Sequence, residues 1–259
     1  MNIYNHADQS CPSRSRHKSV SLLGSLLTAA AGIVLFVAPA QAEGDRAAEA
    51  DAGQHGQSLV AHPQSKAYGK SLKEWLSTYW RWTQTGQDPA GSVVDGVLMM
   101  PLPASQVISG SGTPEDPSLL RGHLEITIDS ETPFVLPLAV WLVERYSNCN
   151  PDDPIIDNDV FLNAVSPRFT IDNRLVISDR NEEKFYVSPA PFTPIATYPA
   201  PTSYGSVAST GFQCIGLVVR PLSVGVHVLH LDEPYILPGY FGAIFDNTWV
   251  VTVKKAKGR

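Results

Sequence analysis

Fourteen residues, Pro133 to Tyr146 (PFVLPLAVWLVERY), form a nearly continuous apolar run with no charge before Glu144. The run is too short to cross a bilayer as a helix, and its β-branched and aromatic residues suit extended backbone. A strand apolar at almost every position has to be covered on both faces, so the chain needs a layer on either side of it. Pro137 is at odds with this, because proline donates nothing to a ladder and is confined to edges and bulges.

Other segments alternate. In HLEITIDS, Leu124, Ile126 and Ile128 oppose Glu125, Thr127 and Asp129, the period-two pattern of a half-buried strand. EKFYVS (183–188), GFQCIGLVVRPL (211–222), GVHVLHLD (225–232) and NTWVVTVKK (247–255) are further strand candidates. Asp172-Asn173 falls between two β-rich runs, and both residue types tolerate the positive φ of a two-residue hairpin turn. One segment has helical spacing. Leu72, Trp75, Leu76, Tyr79 and Thr83 share a face, Ser71 and Glu74 have capping-box spacing, and Gly86 stands where a C-terminal cap belongs. The expected fold is mainly β: an antiparallel β-sandwich, jelly-roll-like, with one N-terminal aromatic-rich α-helix packed on it. Two regions are expected as loops, the proline-rich 188–211 and the acidic NCNPDDPIIDND (148–159).

The N-terminus has the three parts of a secretory signal. Arg14, Arg16, His17 and Lys18 precede an apolar stretch densest at Leu26 to Ala38, and Ala40-Gln41-Ala42 supplies the small residues for cleavage between Ala42 and Glu43. The expected organisation is a signal peptide at 1–42, a flexible leader at 43–66 and a single β-rich domain at 67–259. The net charge of −6 becomes −8 without residues 1–42, which carry three cations against Asp8. That balance argues against sequence-independent nucleic-acid binding. No later segment is apolar for long enough to span a membrane. Cys11 leaves with the signal, and in an oxidising compartment Cys149 and Cys214 are expected to pair; two separate buried thiols are the alternative.

The helix segment YGKSLKEWLSTYWRW resembles a family of uncharacterised exported bacterial proteins whose domains open on a Tyr-Gly-x-Ser/Thr…Trp-x-x-x-Trp-Trp-x-Trp helix. Tyr68, Gly69, Ser71, Trp75, Trp80 and Trp82 match, and Tyr79 stands where the family often has tryptophan. Weaker similarity recurs at TPFVLPLAVWLV, FTIDN, PLSVGVHVLHL and NTWVVTV. The family's Cys-x-x-Gly-Gln stretch after the helix has no counterpart here. The resemblance implies export and a β-rich fold, and no chemistry.

Trp75, Tyr79, Trp80 and Trp82 are the candidate ligand-binding residues, because aromatic rings bury large area at little entropic cost. The competing role is anchoring the helix to the sheet, and Trp82, off the main stripe, is the ring expected to face outward. His227 and His230 fall on opposite faces of a regular strand and so cannot share a metal ion. Asp157-Asn158-Asp159 lacks the spacing of a calcium loop. Glu125 and Asp129 are carboxylates without a motif around them. No catalytic residue, metal site or cofactor is nominated. The expectation is a periplasmic or extracellular protein that binds a ligand or glycan without catalysis, its partner a cell-wall or extracellular polysaccharide or an envelope protein. The alternative is a secreted hydrolase or metal-dependent enzyme with an acidic or histidine-lined cleft. Intact mass spectrometry of protein recovered from the envelope or medium should give a chain beginning at Glu43; a full-length cytosolic product would contradict this.

Overall fold

A computed structural model describes residues 58–84, 91–147, 150–203 and 205–256. The signal peptide, Ala42, Glu43, Gly86 and Cys149 lie outside the described residues. After helix α1 (Leu72–Gln84), strands β1 (Ser92–Val94), β2 (Val97–Met99), β3 (Ser105–Ser109), β4 (Ser118–Asp129) and β5 (Phe134–Tyr146) lead to the short helix α2 (Asn158–Ala164). There follow β6 (Arg168–Ile171), β7 (Arg174–Ile177), β8 (Tyr186–Thr197), β9 (Ser206–Val219), β10 (Gly225–Leu237) and β11 (Phe241–Lys254). They form a five-stranded sheet, β1-β2-β5-β9-β8, and a six-stranded sheet, β3-β4-β11-β10-β6-β7. Leu136, Ile215 and Leu217 of the first share one apolar cluster with Leu229, Leu231, Trp249 and Val251 of the second. The arrangement is sandwich-like.

Contrary to the expectation of an antiparallel sandwich, its sheets are not antiparallel throughout. β4 runs parallel to β11 over twelve paired positions, and β2 runs parallel to β5 at Phe134 and Val135. Parallel neighbours arise because β4 and β11 are brought together from opposite ends of the domain, a non-local pairing that local periodicity does not encode. It also separates the fold from a jelly roll of antiparallel strands.

β5 is the doubly covered strand that its composition requires. Phe134, Leu136, Trp141 and Val143 face the inter-sheet core, while Val135, Val140 and Leu142 face a second cluster beneath α1. The inward positions change from even to odd numbers across Pro137, where the register with β9 shifts between Pro137 and Ala139. Pro137 therefore sits at a bulge, beyond the last residue paired to β2, where its missing N–H leaves no ladder bond unmade.

α1 forms as its sequence predicts. The Ser71 amide donates to Glu74 Oε2 at 2.7 Å and the Glu74 amide to Ser71 Oγ at 3.3 Å, a reciprocal capping box. Gly69, at φ 87°, turns the chain so that Trp75 Nε1 donates to the Ala67 carbonyl at 2.7 Å. Trp75, Leu76 and Tyr79 are fully buried against β8, β9 and β5. The helix comes close because β9 has no side chain at Gly216, where a Cβ would stand 2.6 Å from Leu76 Cδ2.

Three local expectations change. Residues 58–66, expected in a flexible leader, are tied to β9: the Ala61 amide donates to Val218 at 2.9 Å and the Arg220 amide to Leu59 at 2.9 Å. The proline-rich segment is largely strand, because β8 is an edge where Pro189, Pro191 and Pro194 interrupt no second ladder. The acidic region ends in the first residues of α2, with Asp157 at its N-cap position. The Asp172-Asn173 turn matches expectation, both residues having positive φ between β6 and β7. Gly216→Val should crowd Leu76 and cost about 1–3 kcal/mol, read as a lower urea midpoint with unchanged slope; wild-type stability would show that the helix does not need this close approach.

Candidate functional site

The inner face of the six-stranded sheet is an apolar stripe with two polar interruptions. Along β10 the inward positions are Leu229, Leu231, Glu233, Tyr235 and Leu237; along β11 they include Phe241, Ala243, Phe245, Asn247 and Trp249. Beside them the two sheets leave a cavity of about 220 Å³. Leu231, Tyr235, Phe241, Phe245 and Asn247 line it from this sheet, Pro137 to Leu142 from β5, and Trp80 from α1. The lining is mainly apolar, and its two charged residues are both acidic, Glu144 and Asp153.

Each polar group at the cavity has a defined setting. Tyr198 donates its hydroxyl to Glu144 Oε1 at 2.5 Å, and Tyr146 donates to Asp153 Oδ2 at 3.0 Å. Asn247 Oδ1 accepts from Ser105 Oγ at 3.0 Å, and Gly122 leaves it room, since a Cβ there would lie 2.4 Å from that oxygen. The Tyr235 hydroxyl is buried with no partner among the described residues. Burial, reinforced by the nearby Glu233, holds this phenol far above its usual range.

Glu233 lies between Leu231 and Tyr235 on the same face and is completely buried; neither carboxyl oxygen has a well-formed hydrogen bond among the described residues, and the Ser166 amide only partly offsets its burial. Burial, and then the neighbouring Glu182, push its carboxyl well above the ordinary range. Glu182 is itself raised, first by burial. A carboxyl without counter-charge in such a place keeps its proton.

The aromatic residues nominated from sequence do not form a surface platform. Trp75 and Tyr79 are 0% exposed and Trp80 is 7% exposed; the apolar stripe of an amphipathic helix turns toward the sheet beneath it. The Tyr79 hydroxyl donates to the Met100 carbonyl at 2.7 Å. Trp82 is half-buried, packs edge-on against Tyr79 and donates Nε1 to Ser92 Oγ at 2.9 Å. Of the four, Trp80 is the one that lines the cavity. Its Nε1 has no oxygen or nitrogen acceptor among the described residues and lies against the Cys214 sulfur.

Cys214 is a buried thiol with no bridge among the described residues, and Cys149, with which it was expected to pair, lies outside them. Cys214 is enclosed beneath α1 opposite Val140, and burial pushes its thiol up to about 12. A thiol so protonated is a poor nucleophile.

The histidines engage different carboxylates. His230 Nε2 is 3.1 Å from Asp246. His227 Nδ1 is 2.7 Å from Asp172 Oδ2, and its Nε2 is 2.8 Å from the Ser223 carbonyl. Ser223 Oγ is 3.4 Å from the same Nε2, so the set superficially has the order of a serine hydrolase triad. With an oxygen acceptor at each ring nitrogen, however, His227 favours protons on both and offers Ser223 no lone pair. Burial lowers its affinity for the second proton, but the bonds to Asp172 and the Ser223 carbonyl outweigh that and raise its pKa overall. The group clamps the β6–β7 turn to the start of β10.

In the acidic region, Asp152 pairs with Arg145 at 3.2 Å, and no group of three or more His, Cys, Asp or Glu suited to a metal ion occurs among the described residues. Glu125 and Asp129 are exposed on β4. No helix among the described residues is long and apolar enough to cross a membrane. Sequence reading missed the cavity and Glu233. The available signal was the inward phase of Leu229 and Leu231, which continues to Glu233 once β10 is extended past Asp232. No protein-family model, curated protein or solved structure matches the chain.

A carboxyl raised in the folded state binds more protons folded than unfolded between its two pKa values, so Glu233 makes stability fall as pH rises above the ordinary carboxylate range. Glu233→Gln should flatten that slope and add on the order of 1–3 kcal/mol near pH 7, measured by urea unfolding at about pH 5 and pH 7. An unchanged slope would mean that Glu233 is not held protonated.

Proposed function

We propose that this is an exported, non-catalytic protein that holds a small, mainly apolar ligand between its two sheets. One observation carries the binding part: a cavity of about 220 Å³ with Trp80, Trp141, Tyr235, Phe241 and Phe245 in its wall. Concave apolar walls with a few fixed polar groups are the usual setting for small-molecule binding. The export part rests on the signal-like residues 1–42 and on the resemblance of the tryptophan helix to exported bacterial proteins. A periplasmic or extracellular site of action follows from it. The glycan form of the reading has less support, because sugar-stacking rings need an open face and three of the four nominated aromatics are buried.

Glu144 and Asp153 favour one second reading, a secreted hydrolase using this carboxylate pair. Glu144→Gln and Asp153→Asn would each abolish turnover of its substrate, whereas a binding protein shows no turnover to lose.

The neutral dye N-phenylnaphthylamine should bind the purified protein with enhanced fluorescence. Ala139→Phe, which fills the cavity from β5, should weaken binding at least about tenfold, the equivalent of roughly 1.4 kcal/mol, while circular dichroism stays native. Failure of the wild type to bind any apolar probe would remove the proposal.

A further inference from the structure

Among the described residues, β5 has a strand neighbour on both sides only near its start. β2 pairs with it at Phe134 and Val135, and the Met100 amide closes that pairing on the Val135 carbonyl at 3.1 Å. At the far end of the same edge, the Glu144 carbonyl accepts the Asp153 amide at 2.9 Å. Between these two bonds the other edge is held by β9 throughout. Backbone alternation places the N–H and C=O of Val140 and Leu142 on the open side, in phase with Glu144. There they have no backbone partner among the described residues.

The cavity lies along this open edge. Six consecutive residues, Pro137 to Leu142, line it. Successive strand residues point to opposite faces, so a cavity touching all six runs along the strand's edge rather than over one face. Its walls agree: Trp80 belongs to the layer beneath the helix, and Tyr235 and Phe241 to the inter-sheet core. Backbone polar groups in an apolar cavity need partners, and the buried Tyr235 hydroxyl has none among the described residues.

We propose that the cavity is a docking slot for an extended apolar peptide bearing a basic group, which joins β5 as an added strand between Val135 and Glu144. This rests on the ligand-binding reading above and names the ligand's class. An extended peptide presents alternating donors and acceptors at the strand's own spacing, and about five residues match the open run. Its side chains alternate between the Trp80 layer and the Tyr235–Phe241 layer. Charge fixes the remaining feature: both charged residues of the lining, Glu144 and Asp153, are acidic, so a lysine, arginine or free amino terminus belongs at that end.

The test is calorimetric titration of the purified chain with a pool of amidated pentapeptides, each a lysine followed by Val, Ile, Leu or Phe. Two N-methylated versions of the pool are titrated beside it, each blocking one alternating set of amides. Strand addition predicts that the parent pool binds and displaces N-phenylnaphthylamine. One methylated set should bind at least about tenfold more weakly, and the other set, whose blocked amides face away from β5, as well as the parent. Hydrogen exchange at Val140 and Leu142 should slow when peptide is added. Equal binding by all three pools would overturn strand addition while leaving an apolar-ligand site intact. Absence of peptide binding with the dye still bound would do the same, and absence of both would remove the site as well. Slow exchange at Val140 and Leu142 before any peptide is added would assign the edge to the chain itself, and slowing with protein concentration alone would assign it to a second copy. Either result would overturn the proposal.

Discussion

The structure depends on covering both faces of β5 and β9. Both strands are apolar on each side, so neither can sit on the surface of a one-layer sheet without exposing a large hydrophobic area. The second sheet covers one face. α1 covers the other, and the two covers are not alike: a sheet lies over many residues at once, whereas a single helix reaches only a stripe. Gly216 brings that stripe close, and the buried Trp75, Leu76 and Tyr79 fill it. The tryptophan-rich helix is therefore first a lid on the five-stranded sheet, which explains why so much aromatic surface is concentrated in one short segment.

The same constraint creates the cavity. The helix and the second sheet together extend along β5 further than β2 does, so the edge beyond Val135 lies between two apolar layers with a third neighbour missing among the described residues. The bulge at Pro137 keeps the strand apolar on both sides while changing which residues face inward. Beside the cavity, Glu233 is fully buried and the neighbouring Glu182 largely so, which places acidic groups inside the domain. Natural cores bury such groups at a stability cost. Here the cost falls on the strand whose next residue in phase, Tyr235, lines the cavity.

Much of the fold was legible one element at a time. The capping box, the helical stripe, the Asp172-Asn173 turn and most strands follow from spacing and turn chemistry, because each is decided by residues close together in sequence. The errors share a cause. β8 looked like a loop because its prolines count against a strand unless the strand is known to be an edge. Residues 58–66 looked like a tether because their partner, β9, lies far along the chain. The parallel pairing of β4 with β11 has no local signature.

For the site, the sequence alone determined the sidedness of individual elements: that β5 must be covered twice, that His227 and His230 have different surroundings, and that Trp75, Tyr79 and Trp80 share a helix facing something apolar. Periodicity carries that information because it is a property of one element's geometry. Only the tertiary structure decided where covering stops short, leaving an open edge of β5 among the described residues, and which polar residues, Glu144, Asp153, Tyr235 and Glu233, come to lie in or beside the gap. Those facts depend on which elements meet and how far each extends past its neighbour. No single segment contains them, because packing is a relation between segments.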